Sequence, residues 1–255
     1  MSSKNHRTLI LTSYFSVKPH PNDPGDSAVV GRGPDGMVAK SDINYIKEWY
    51  DSVVRNKIKS VVFHDNLEDD LIRDYSNNYV SFEKVSPTEY SNNDYRFFCF
   101  SSYLESLIEK PSVVFHTDAS DVKVVMDPVS LIDQNDSIDY FACKDSIPLN
   151  QFPYKKIHDH FNWDDSFNFD INYGLWDLIN MGVVGGSFDK MVKFYKTFVE
   201  VRESMGQPDF NSDMWILQYL LRSKLQPCEF IMGEPVCSQF KGYQSEREDV
   251  YFIHK

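Results

Sequence analysis

No apolar run in these 255 residues approaches the roughly 18 needed to span a membrane. The start, MSSKNHRTLILTSYF, has a basic flank but only a short apolar run, which is a poor secretory signal. A chain without signal or anchor is expected in the cytoplasm. Cysteine is scarce. Cys99, Cys143, Cys228 and Cys237 are scattered, with no CxxC and no metal-like spacing, so four buried free thiols in a reducing compartment are expected. Positive charge is also short: 26 Lys and Arg stand against 38 Asp and Glu, a net charge of −12. That balance argues against a nucleic-acid or anionic-membrane partner, which needs a basic face. It leaves room for a phosphate-bearing ligand held through a divalent cation. There is no internal repeat and no low-complexity linker. GRGPDG (31–36) is a turn signal, because no strand runs directly into it as a phosphate loop requires.

What is present is an ordinary globular balance, 42% hydrophobic and 25% charged, with aromatics high at 15%. The length suffices for one large domain with a substantial core. TLILTSYF (8–15) reads as a buried strand, followed by a Pro-, Gly- and Asp-rich loop to Lys40. Residues 41–56 read as a helix with Ile43, Ile46, Trp49 or Tyr50, and Val53 on one face and Ser41 or Asp42 as its cap. KSVVFHDN (59–66) is a strand, LEDDLIRDYSN a helix, YVSFEKV (79–85) a strand, and residues 93–110 a helix. Alternating strands and helices predict an α/β fold with a mostly parallel sheet covered on both faces. VVMDPVSLI and SIDYFACKD (137–145) read as further strands. INMGVVGGS (179–187) reads as a glycine-bearing turn into a helix, and NSDMWILQYLLRS (211–223) as a capped helix.

Four constellations bear on chemistry. PSVVFHTDASDVKVVMDP (111–128) ends an apolar run on Asp118 and Asp121. Carboxylates at a strand's carboxyl end suit a divalent cation with oxygen ligands, or cap a local turn. The glycines of INMGVVGGS permit close backbone approach to a ligand, or simply a turn. Asp213 lies in the first turn of a helix, where it serves as a cap or as a general base. The chain ends FIHK, whose His254 becomes a ligand only if the end folds back to the metal.

Taken in order, these four resemble the GT-A fold nucleotide-sugar-dependent glycosyltransferases. TDASDV stands where that family has its DxD-type motif, NMGVVGGS resembles its glycine loop, SDMW its xED motif, and His254 its C-terminal metal ligand. Two departures stand out. Ser120 occupies the usual second Asp position, and Ser212 replaces the Glu of xED. The compact length resembles a viral or bacterial surface-glycan enzyme, the large algal viruses included, which would place it in the host cytoplasm if viral.

The resemblance implies one GT-A-like, Rossmann-type domain across residues 1–255, with a nucleotide-binding half over about 1–127 and an acceptor-binding half over about 128–255. It implies Mn²⁺ or Mg²⁺ held by Asp118, Asp121 and His254, and a nucleoside-diphosphate sugar, most often UDP-linked, as donor. Such metal binding should weaken as pH falls below roughly 6.5, because the imidazole must be neutral to ligate. Thr12, Ser13 and Tyr14 would flank the base, Asp65 would bond its ring NH, and Arg96 would face the diphosphate or donor sugar. Ser120, Gly185 and Gly186 complete the donor set. A glycan or glycoprotein would be the acceptor, stacked on Trp163 or Trp176, with Asp213 as base. The activity implied is hexosyl or pentosyl transfer, with inversion favoured.

Rival readings rest on other residues. HDHFNWDD (158–165), with His158 and His160, fits a metallohydrolase. A non-enzymatic carbohydrate-binding protein would not need a metal set. A sugar-nucleotide pyrophosphorylase would want a glycine-rich basic loop after the first strand, where this chain has FSVKPHPNDPGD.

Overall fold

The first apolar run becomes a strand, Thr8–Tyr14 (β1), buried except at Ser13, in the computed structural model, which describes residues 7–19, 37–151, 176–242 and 244–255. Asp42 then caps a short 3₁₀ turn by accepting from the Asn44 amide at 2.9 Å. The chain continues as a helix, Lys47–Arg55 (α1), which buries Trp49 and Val53. Strands Lys59–His64 (β2) and Val80–Lys84 (β3) follow, separated by the helix Asp69–Tyr75 (α2). The helix Asn92–Ser106 (α3) leads to the strands Val113–Thr117 (β4) and Val122–Val124 (β5).

Residues 124–132 are not the single strand their apolar content predicts. Asp127 accepts from the Val129 amide at 3.0 Å, and Pro128 stands at the head of a short helix, Val129–Gln134 (α4). Proline's fixed φ suits a helix start, and that overrides the β-branched residues beside it.

The second half supplies the strands Tyr140–Pro148 (β6) and Asp177–Ser187 (β7), the helix Phe188–Ser204 (α5), and the helix Asp213–Tyr219 (α6), which runs into a π-helical turn at Leu220–Lys224. Short strands Phe230–Met232 (β8) and Phe252–His254 (β9) follow. Seven strands form one sheet in the order β3-β2-β1-β4-β7-β6-β8, and β5 pairs with β9 in a second. β1, β2, β3 and β4 are mutually parallel, β7 is antiparallel to both β4 and β6, and β8 is parallel to β6. This is the expected mixed, mostly parallel, Rossmann-type α/β sheet. Leu9, Leu11 and Val114 face α3, α5 and α6 on one side, while Ile10, Val113 and Phe115 face α1, α2 and α4 on the other. The chain leaves β1 for β2 on one side and returns to β4 on the other. That reversal, at the carboxyl ends of β1 and β4, is where open α/β sheets form their ligand-binding crevice.

Two expectations change here. INMGVVGGS is not a turn but the body of β7, buried in mid-sheet. Its glycines make room instead of bending the chain. A Cβ on Gly185 would stand 2.2 Å from the buried Phe115 ring of β4. Gly185→Ala is therefore expected to cost about 1–3 kcal/mol in urea unfolding at unchanged m-value. An unchanged midpoint would mean that the Phe115 ring can turn away. The second change concerns the cysteines. Cys143 and Cys237 form a disulfide with Cα atoms 5.2 Å apart, and only Cys99 and Cys228 are free thiols. The segment 158–165 and Trp163 lie outside the described residues.

Candidate functional site

The crevice is floored by the end of β4. After Thr117 the chain turns through Asp118–Asp121 into β5, and the Asp118 amide donates to the Gly182 carbonyl of β7 at 2.8 Å. β5 pairs with β9, with Val122 opposite His254, and the Lys255 amide donates to the Asp121 carbonyl at 3.0 Å. The last strand thus brings His254 back to the two aspartates. Asp118, Asp121 and His254 each offer a ligand atom, all within 4.8 Å of one another. His254 Nε2 is 3.5 Å from Asp121 Oδ2. The imidazole is 1% exposed and each carboxylate 30%. Burial works against a charged imidazole, but Asp121, Asp118 and Asp145 outweigh it and raise His254 above its ordinary value.

β7 is shaped to admit that imidazole. Its pairing with β6 slips at this point, so that Ala142 faces Val184 while Cys143 faces Asn180. The bulge is closed by Asn180, whose Oδ1 accepts from the Gly182 amide at 2.7 Å and whose Nδ2 donates to Asp145 at 2.9 Å. A Cβ at Gly182 would lie 2.2 Å from His254 Cε1 and 2.6 Å from Nε2. Gly182 is therefore the site's glycine. Gly185 and Gly186, the pair expected to touch the donor, lie further along β7 opposite Phe115 and Val114, packed on Phe115 and on the Asp139 carbonyl.

Arg96 forms the other wall. Its guanidinium is 8% exposed, bonds Asp118 through Nη1, and reaches Asp213 Oδ2 at 3.0 Å through Nη2. Burial alone would raise Asp118, but Arg96 and His254 outweigh it and hold it below the usual carboxylate range. Asp213, 5% exposed, is pushed up to about 6, first by burial against the pull of Arg96, and further by Asp94 and Asp118. One side chain thus links two carboxylates of unlike proton affinity, a pattern typical of functional sites.

Asp213 is held from behind. Asp94, in the first turn of α3, accepts from Arg202 Nε at 2.6 Å, from the Ser212 amide at 3.1 Å and from the Ser212 hydroxyl at 2.9 Å. Arg202 also donates to the carbonyls of Gly206, Gln207, Pro208 and Phe210. This buried pair orders the loop that delivers α6. Neither Asp94 nor Arg202 stood out in the sequence. Ser212 spends its hydroxyl on Asp94 and does not face the crevice as an acid.

Other expected residues are placed differently. Tyr14 is buried, and its hydroxyl donates to the carbonyls of Ala39 and Asp42 at 2.6 Å, so it does not flank a base. Thr12 is also buried, donating to the Thr117 carbonyl at 2.7 Å. Only Ser13 of the three is half-buried. Asp65 accepts from the Ser16 amide at 2.8 Å and the Val17 amide at 2.9 Å, which makes it a clasp on the loop after β1. It still borders a shallow pocket with Phe15, Lys18, Tyr90 and Asn92. Ser120 Oγ lies 3.5 Å from Asp121. Trp176 is half exposed, with the Arg222 guanidinium 5.0 Å over its ring. His116 is a satisfied core residue. Its Nε2–H donates to the Met181 carbonyl at 3.1 Å, so its Nδ1 accepts from Tyr195, and burial lowers it to about 3.

No protein-family signature matches the chain, and no curated protein does. Among solved structures, a glycosyltransferase involved in the glycosylation of the major capsid of PBCV-1 is similar over 97% of this chain and 91% of its own, with a TM-score of 0.50 and 17% identity. The likeness is one of fold and covers nearly the whole of both chains. No helix among the described residues is long and apolar enough to cross a membrane.

Proposed function

We propose that this protein is a metal-dependent glycosyltransferase, moving a sugar from a nucleoside-diphosphate donor, UDP-linked by preference, to a glycan or glycoprotein acceptor. One observation carries the reading. At the crevice of a Rossmann-type sheet, Asp118, Asp121 and His254 converge, with Asp145 and Asp213 close by and Arg96 among them. One buried guanidinium does not balance four carboxylates, and a divalent cation would offset most of the remaining negative charge. The two carboxylates suit Mn²⁺ or Mg²⁺ next to a diphosphate, and the imidazole favours Mn²⁺ of the two. When bound, the ion supplies Lewis-acid stabilisation of the departing diphosphate.

The chain's own residues do the rest. Arg96 holds the Asp118 carboxylate in place. The raised Asp213 is suited to take the acceptor hydroxyl proton, which favours inversion. The nucleoside would lie at the carboxyl ends of β1 and β2 beside Asp65, and a sugar would stack on the half-exposed Trp176.

Calorimetric titration of UDP with and without Mn²⁺ tests this. Wild type is expected to bind UDP only with the metal, and Asp118→Ala/Asp121→Ala to lose that binding. Metal-independent binding, or none to UDP-, GDP- or TDP-linked sugars, would overturn the reading. Because His254 is raised above its ordinary value, protons should compete with Mn²⁺ already above pH 6.5.

A further inference from the structure

His254 reaches the crevice on a strand of only three residues, and two short strands paired together are a weak hold. On the side away from β5 the strand is held by one neighbouring segment. The Phe252 amide donates to the Val236 carbonyl at 3.0 Å, the Ser238 amide donates to the Phe252 carbonyl at 2.9 Å, and the His254 amide donates to Ser238 Oγ at 3.1 Å. Cys237 sits in the middle of that segment. Its disulfide partner Cys143, 94 residues away in sequence, sits on β6 opposite Asn180, at the bulge where Gly182 admits the imidazole. The crosslink therefore ties together the two walls between which the His254 ring is held. Cys143, Cys237 and His254 are all buried, and their Sγ and ring-nitrogen atoms lie within 4.8 Å of one another.

We propose that the Cys143–Cys237 crosslink positions His254, and that thiol–disulfide exchange at this pair sets the divalent-cation affinity of the Asp118/Asp121/His254 cluster. The proposal rests on reading that cluster as the metal site. In the oxidising direction the two thiols give two electrons and two protons to a small-molecule disulfide such as oxidised glutathione, which leaves as two thiols. A dithiol reverses the step and is itself oxidised to a disulfide. Reduction removes the direct crosslink from the segment 236–238 to β6 and leaves that segment covalently joined to the main sheet only through the backbone that follows β8. The hold on His254 is then left to hydrogen bonds with β5 and the segment 236–238, and a less preorganised site binds the ion more weakly.

The test is Mn²⁺ binding, read from the spectrum of the free ion by electron paramagnetic resonance. It compares oxidised wild type, wild type reduced with a phosphine and desalted, and Cys143→Ala/Cys237→Ala. Amide exchange at Phe252–His254 is followed without metal. Reduction and the double substitution are each expected to weaken Mn²⁺ by about 10–100-fold, as loss of a ligand's supporting shell does, and to speed exchange in β9. Reoxidation should restore wild type and leave the alanine variant unchanged. Equal affinity in oxidised and reduced wild type overturns the proposal and leaves the metal site standing. Weak binding in the alanine variant alone shows a packing effect and also overturns it. No Mn²⁺ binding even in oxidised wild type overturns both the proposal and the metal-site reading.

Discussion

Asp213→Asn is expected to lower the transfer rate by about 10²–10⁴-fold, the usual contribution of a positioned base, while UDP and Mn²⁺ affinity stay within a few-fold of wild type. Two hydrogen bonds fix the carboxylate, one from Arg96 and one from the Met214 amide at 2.7 Å. A carboxylate has acceptor sites beyond those two, so it can still receive an acceptor hydroxyl. The amide of Asn keeps the shape and loses the basicity. The pH profile gives the sharper reading. Burial raises Asp213 to about 6, and only the ionised form is a base, so wild-type activity should climb as pH rises through about 6. With Mn²⁺ saturating at every pH, that limb should vanish in Asp213→Asn and the residual rate should be flat across it. Near-normal transfer in the variant would exclude the base role and leave Asp213 to orient acceptor or donor, as retention of configuration would require.

The same shift acts on stability with the opposite sign. A carboxyl raised by burial favours the folded state only while protonated, so Asp213 opposes folding more as pH rises through its folded value. The buried Asp94–Arg202 pair holds the start of α6, and with it Asp213, in place. That support was not legible in sequence. Asp94 and Arg202 are 108 positions apart, and each looks like an ordinary surface residue of a polar helix turn. By contrast, the elements of the parallel half were legible, because apolar runs and helical stripes are local signals. The convergence of Asp118, Asp121 and His254 was legible through their position at strand ends and through motif order. Glycines in a buried strand misled, since the same letters mark a turn or a close approach. Only the tertiary structure shows that Gly182 makes room for an imidazole and Gly185 for a phenyl ring. Cysteine pairing across 94 positions is likewise a tertiary fact. Tyr14 and Asp65 were correctly placed at strand ends, but their hydrogen bonds tie local loops together.

Arg96→Met should be the most destabilising single change at the crevice. Arg96 is buried between two carboxylates, and removing one partner of such a set costs about 3–5 kcal/mol, because the remaining charge stays buried and unpaired. The pH dependence identifies the cause. In wild type, Asp118 is held below its ordinary value, so it contributes stability that is present at neutral pH and lost as pH falls through its folded value. Without the guanidinium, Asp118 and Asp213 should both move up, and protonation relieves their repulsion. The deficit of the variant in urea unfolding should therefore be largest near pH 8 and shrink toward pH 5. Mn²⁺ supplies the missing positive charge, so it should stabilise Arg96→Met more than wild type at neutral pH, although transfer remains impaired. A simple loss of packing predicts something different, a deficit that is constant in pH and indifferent to metal. Arg96→Lys separates charge from geometry. One ammonium cannot reproduce the two-sided fork that reaches Asp118 and Asp213 together, so Lys should recover much of the stability at pH 8 and little of the transfer.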